Sequence, residues 1–144
     1  MRKTVILLIL VAGVWLVGCS YQGPKTSPDQ GTTLINTYWK LIETDGVAVT
    51  TAADAREAHV ILRPDHRVTG FGSCNTFSGT WQMEDELLVI GPLMSTRMAC
   101  PESATEMALL SALDGKVVTE IEGEVLTVTG RDGIELKFQA MYFE

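Results

Sequence analysis

Short stretches that alternate apolar and polar residues, each ended within about ten residues by a turn signal, run through the chain from Tyr38 to Gln139. A period of two is that of a half-buried β-strand, so the pattern excludes a helical bundle and calls for a mainly β fold. Residues 38–43 alternate around Trp39 and Leu41. Residues 59–63 and 67–71 flank Pro64-Asp65-His66, a turn with proline at its second position. Residues 79–83 and 87–90 read as a hairpin about Glu84-Asp85-Glu86, and 93–98 as a further strand. Residues 116–121, 125–129 and 134–139 complete the set, the last two joined by Gly130-Arg131-Asp132-Gly133.

The period changes once. Residues 101–114 carry Met107, Leu110 and Leu113 at helical spacing, with Leu109 beside them, and Met107 is expected to fill the core. Pro101 suits a first helical turn, Ser103 and Glu106 offer a capping box, and Asp114-Gly115 supplies the stop. About eight or nine antiparallel strands with one helix are best accommodated by a small barrel-like sheet, the helix packed on it or plugging it, because closure removes exposed edges. An open α+β sheet is the alternative.

The start of the chain has a different grammar. Arg2 and Lys3 precede an apolar run over residues 5–17, whose helical length of roughly 20 Å falls short of the ~30 Å hydrocarbon core of a bilayer. That length fits a signal peptide, residues 1–18. Leu16-Val17-Gly18-Cys19 resembles a lipobox, with small Gly18 at the scissile bond and the Cys19 thiol carrying the lipid. Lipidation at Cys19 implies membrane attachment through the acyl chains. Ser20 at the next position, by resemblance to sorted lipoproteins, favours the periplasmic face of the outer membrane. Residues 19–33, rich in Gly, Pro, Ser and Thr, read as a lipidated N-terminus and tether, leaving 34–144 as one domain.

Loss of Arg2 and Lys3 with the signal peptide would take the formal charge from −7 to −9. Such a chain lacks the basic footprint of a nucleic-acid binder. With Cys19 acylated, Cys74 and Cys100 remain as a pair in an oxidising compartment, where a disulfide is expected and two buried thiols are the alternative.

Two internal blocks carry a resemblance. Residues 68–81 contain Gly70-Phe71-Gly72-Ser73-Cys74-Asn75-Thr76-Phe77-Ser78-Gly79, and residues 95–101 read Ser-Thr-Arg-Met-Ala-Cys-Pro. Together with Trp39-x-Leu41, the helix bearing Glu106, and the closing Leu126-x-Val128 and Leu136-x-Phe138, they resemble the META domain, the HslJ-like family. The resemblance implies a compact, mostly β fold with one helix, often in envelope or secreted proteins, and a loose link to stress response, drug tolerance or virulence. It implies no catalytic residue.

The chemistry of the two blocks can be read without the family. Gly70, Gly72 and Gly79 mark a strand exit needing positive φ or close backbone approach, and Asn75 is suited to bond its own backbone in a turn. Such a corner, stapled by Cys74 and Cys100, would group Asn75, Thr76, Ser78, Thr96 and Arg97 as a recognition surface. His59 and His66 lie in no motif with serine, cysteine or paired metal-ligand spacing, so no catalytic set, metal site or cofactor is expected. The expected function is that of a non-catalytic binding module in the envelope, with an envelope protein or small ligand as partner. Two alternatives stand beside it. One is a barrel carrying an apolar ligand, which a core filled by Trp39, Phe71, Trp81, Leu110 and Phe138 would reject. The other is an inhibitor of a secreted hydrolase acting through a loop over residues 45–57.

Overall fold

The computed structural model describes residues 31–100 and 104–143. The signal peptide, Cys19 and nearly all of the tether lie outside these residues, as do Pro101 and Ser103. The elements in chain order are β1 (Tyr38–Thr44), β2 (Val47–Ala48), β3 (His59–Leu62), β4 (Arg67–Phe71), β5 (Thr76–Glu84), β6 (Leu87–Ile90), β7 (Met94–Ser95), α1 (Ala104–Leu113), β8 (Gly115–Glu122), β9 (Val125–Thr129) and β10 (Glu135–Met141).

Eight strands close on themselves in the order β1-β3-β4-β5-β6-β8-β9-β10, every strand pairing antiparallel. The first and last strands zip together from Tyr38↔Met141 to Thr44↔Leu136, with a bulge between Leu41 and Glu43. The expected barrel is therefore present, and closed. Its meander follows from short turns, such as the β8–β9 hairpin, where Gly123 takes φ +60. The β9–β10 turn is held by the Gly133 N–H donating to the Gly130 carbonyl at 3.0 Å.

Alternation along each strand sends one set of side chains inward. Trp39, Leu41, Val60, Leu62, Val68, Phe77, Trp81, Leu88, Ile90, Val117, Leu126, Val128, Leu136 and Phe138 are all buried in one cluster. Both indole N–H groups find carbonyls near the barrel ends: Trp39 donates to Leu34 at 3.0 Å and Trp81 to Arg63 at 2.9 Å. Trp39, Trp81 and Phe138 thus take their expected places. Phe71 does not. It sits half-buried on the outer wall, because the register Gly70↔Phe77 points Gly70 inward and fills the space beneath it with the Phe77 ring.

The helix closes one mouth, touching β1, β8, β9 and β10. Its buried face is Glu106, Leu109, Ala112 and Leu113, whereas Met107 is 63% exposed and Leu110 only partly buried. The spacing of Met107 and Leu110 had pointed to the neighbouring face. The carboxylate of Glu106, offered by the sequence as part of a capping box, has buried partners of its own and holds that face inward. Gly115 stops the helix at φ +91, as its position implied, and opens β8 in the same step.

Three other boundaries differ from the pattern. β5 begins at Thr76 rather than 79, since Gly79 is an interior strand position where a Cβ would stand 3.0 Å from both the Leu93 side chain and the Pro92 carbonyl. The expected strand at 93–98 shrinks to β7. Beyond Thr96 its backbone leaves the ladder, and the Met98 N–H donates to the Asn75 side chain at 2.7 Å. The expected loop over residues 45–57 opens with a tight hairpin. Asp45 and Gly46 take φ +48 and +80, the geometry of a two-residue Asp-Gly turn, and β2 pairs back onto β1. The rest returns to the barrel, with Val49 against the core and the Ala58 carbonyl accepting from Leu41.

Candidate binding face at the disulfide corner

Between β4 and β5 the chain turns through Gly72, Ser73, Cys74 and Asn75, with the Gly72 N–H donating to the Asn75 carbonyl at 2.8 Å. The positive φ of this turn is carried by Ser73, at +102. Gly72 is needed for closeness instead: a Cβ there would meet Glu106 Cγ at 2.5 Å and Oε2 at 2.6 Å.

Cys74 and Cys100 form a disulfide with Cα atoms 6.2 Å apart, tying the turn to the segment before α1. A second, non-covalent tie runs beside it. Glu106 Oε2 accepts the main-chain N–H groups of Asn75 at 2.7 Å and Cys74 at 3.2 Å, while Oε1 accepts the Asn75 side-chain amide at 2.8 Å. Asn75 also donates to the Met98 carbonyl at 3.4 Å, and its Oδ1 accepts from the Thr96 hydroxyl at 2.8 Å and from Met98 N–H. Both amide donors and both acceptor sites of Asn75 are therefore in use. Among the described residues, every buried side-chain nitrogen and oxygen has a partner.

This places the five surface candidates. Asn75 is buried and braces the corner; it does not bond its own backbone in the way a turn asparagine was expected to. Thr76, Ser78 and Thr96 are exposed and line one groove of about 610 Å³ on the outer wall. Arg97 is exposed on an adjoining depression with Cys74, Met98 and Cys100.

The same groove gathers residues that no motif had marked: Tyr38, Arg56, His59 and Arg63. His59 is buried on the outer face of β3, its ring stacked on Tyr38 at 4.3 Å and 6.4 Å from Phe71, with Nδ1–H donating to the Glu57 carbonyl at 3.0 Å. Burial pulls the His59 ring below its ordinary pKa, with neighbouring Arg56 acting in the same sense. The Tyr38 phenol is pushed up, first by burial and then by the Glu57 carboxylate. Arg56 holds its guanidinium 4.7 Å over the Phe71 ring. The signal for this cluster was the alternation of His59, Ile61 and Arg63, which puts all three on one face. It was legible only once that face was known to be the outer one. His66, at φ +63 in its turn, packs on Trp81 with Nδ1 3.3 Å from the Trp81 carbonyl.

Fold and site together define a small helix-capped antiparallel barrel that carries a braced polar corner on its wall. The chain belongs to the META domain family, whose pattern it matches over residues 32–141. The fold is shared with a protein from Burkholderia xenovorans solved by NMR, at 23% identity and TM-score 0.61 over 85% of this chain and 97% of that one. A second NMR structure matches at 19% identity and TM-score 0.61, covering 75% of this chain and 94% of that one. A crystal structure of a duf4847 family protein from Bacteroides vulgatus matches at 14% identity and TM-score 0.54, over 77% and 96%. No curated protein matches.

Proposed function

We propose that this chain is a lipid-anchored envelope protein whose META domain is a non-catalytic binding module, serving the envelope under stress or drug challenge through contact with another envelope protein or a small ligand. The observation that carries the reading is the braced corner. A disulfide and a fully bonded Asn75–Glu106 pair hold Thr96 beside Thr76 and Ser78, so three exposed hydroxyl-bearing residues reach a ligand already ordered. Both histidines direct their bonded ring nitrogens at main-chain carbonyls, and the barrel interior holds its own aromatic side chains. These features favour binding on the outer wall over catalysis or carriage inside. Anchoring rests on Cys19 and its lipobox, and the periplasmic face of the outer membrane on Ser20.

Two measurements test the reading. Cells fed an alkyne-bearing fatty acid should label the wild-type chain and leave Cys19→Ala unlabelled; an unlabelled wild type removes the anchor. Envelope cross-linking read by mass spectrometry should recover a partner that is lost in Ser78→Tyr, which fills the groove without touching the corner. Recovery of nothing above background from the wild type would remove the binding module.

A further inference from the structure

Resting on that reading, a more specific assignment follows from where the positive charge lies. The chain is acidic, with a formal charge of −7, and most of its domain cations are spent on local carboxylates. Lys40, Arg67, Lys116, Arg131 and Lys137 each lie within 4 Å of an aspartate or glutamate. Arg56, Arg63 and Arg97 have no carboxylate partner among the described residues. Two of these three, Arg56 and Arg63, border the same groove.

Strand register sets the length of wall between them. Arg63 follows two alternate positions after His59 on the outer face, and two rises of two residues span on the order of 13 Å. Arg56 stands at the other end, over Phe71, which is directly opposite His59. Between the two ends runs a cross-strand row, Ile61↔Thr69↔Ser78↔Met94, apolar at its flanks and hydroxyl-bearing at its centre. Met94 is 71% exposed, an apolar side chain with no cover of its own.

We propose that this groove binds an extended acidic peptide, with its central apolar side chain over Ile61 and carboxylates reaching Arg56 and Arg63. An extended pentapeptide spans on the order of 13 Å between its first and fifth residues, the same span as His59 to Arg63 along the wall. The Thr69 and Ser78 hydroxyls both donate and accept, as peptide amides require. A carboxylated sugar shares the charge but would need a bare aromatic face. Here the Tyr38 ring stacks on His59 and the Phe71 ring already carries Arg56.

The test is fluorescence anisotropy with the full chain in mild detergent and a blocked, dye-labelled peptide of sequence Glu-Ala-Leu-Ala-Glu. The acidic peptide should bind about tenfold tighter than its Gln-Ala-Leu-Ala-Gln counterpart. Arg63→Ala and Arg56→Ala should each weaken it by about five- to tenfold, with circular dichroism unchanged. Equal binding of the two peptides, unchanged affinity in both variants, or tighter binding of a carboxylated oligosaccharide would overturn the proposal. If envelope cross-linking recovers the same partner from wild type, Arg56→Ala and Arg63→Ala alike, the binding module stands and the acidic-peptide groove falls.

Discussion

Glu106 and Asn75, 31 residues apart in the chain, meet as a bidentate pair in which one carboxylate oxygen takes the asparagine's main-chain N–H and the other its side-chain amide. Charge-assisted hydrogen bonds of this kind are stronger than neutral ones, and both partners here are buried. Removing the acceptor strands three donors. Glu106→Ala should therefore lower unfolding stability by about 2–4 kcal/mol, and Glu106→Gln, which keeps one carbonyl oxygen, by about 1–2 kcal/mol. Urea unfolding under oxidising conditions reads both. A loss below about 0.5 kcal/mol for the alanine variant would mean the carboxylate does not hold the corner.

Gly72 bears on the same pair. Its missing Cβ leaves room for the Glu106 side chain at 2.5–2.6 Å, so Gly72→Ala must push that side chain away, at about 2–3 kcal/mol. The test is a double-mutant cycle. On a Glu106→Ala background the methyl no longer meets its obstacle, and most of the penalty should vanish. If the two changes add, the clash lies with the backbone and not with Glu106.

The disulfide and the Asn75–Glu106 pair brace the same turn by different physics. Closing a loop with a sequence separation of 26 constrains the unfolded chain by about 3.5 kcal/mol on the chain-entropy account. Cys74→Ser with Cys100→Ser should lower stability by about that amount. The Asn75 network is expected to survive, since none of its bonds uses a sulfur atom. A thermal-unfolding difference near zero between oxidised and reduced wild type would contradict this.

How much of this was legible in the sequence depends on the kind of signal. Period-two alternation located the barrel strands, because one face of each is buried and the other wet. The single change of period located the helix. What alternation cannot say is which face of a strand or helix meets the core when both carry apolar or ambiguous residues. Phe71 and Met107 were expected inside for that reason. Asp45-Gly46 signals the β2 hairpin, but two residues of strand leave almost no alternation to detect. The corner was marked by Gly72 and the two cysteines, whereas Gly70 and Gly79 lie inside β4 and β5. Its chemistry, an asparagine shared between residues 96–98 and the helix, is long-range and has no local signature. The arginines with no carboxylate partner among the described residues stand out only once five other cations are matched to carboxylates in three dimensions.

His59 supplies a pH dependence with a definite sign. In the unfolded chain its ring titrates near the ordinary value of 6.5, and in the fold burial lowers that value. The unfolded state therefore binds more protons as the pH falls, so this contribution to stability is complete above about 6.5 and is lost as the pH drops through the lowered native pKa. The carboxylates act in a separate, more acidic window. Asp65 is held below its ordinary value by a hydrogen bond from Arg67, Glu84 by one from Lys116, and Asp132 by one from the Ile134 N–H. Urea midpoints measured from pH 8 to pH 5 should thus decline below pH 6.5 in the wild type. In His59→Phe, which keeps a ring against Tyr38 but cannot take a proton, the decline over that range should flatten. An identical slope in both proteins would assign the loss to another group and free His59 from the stability of the outer wall.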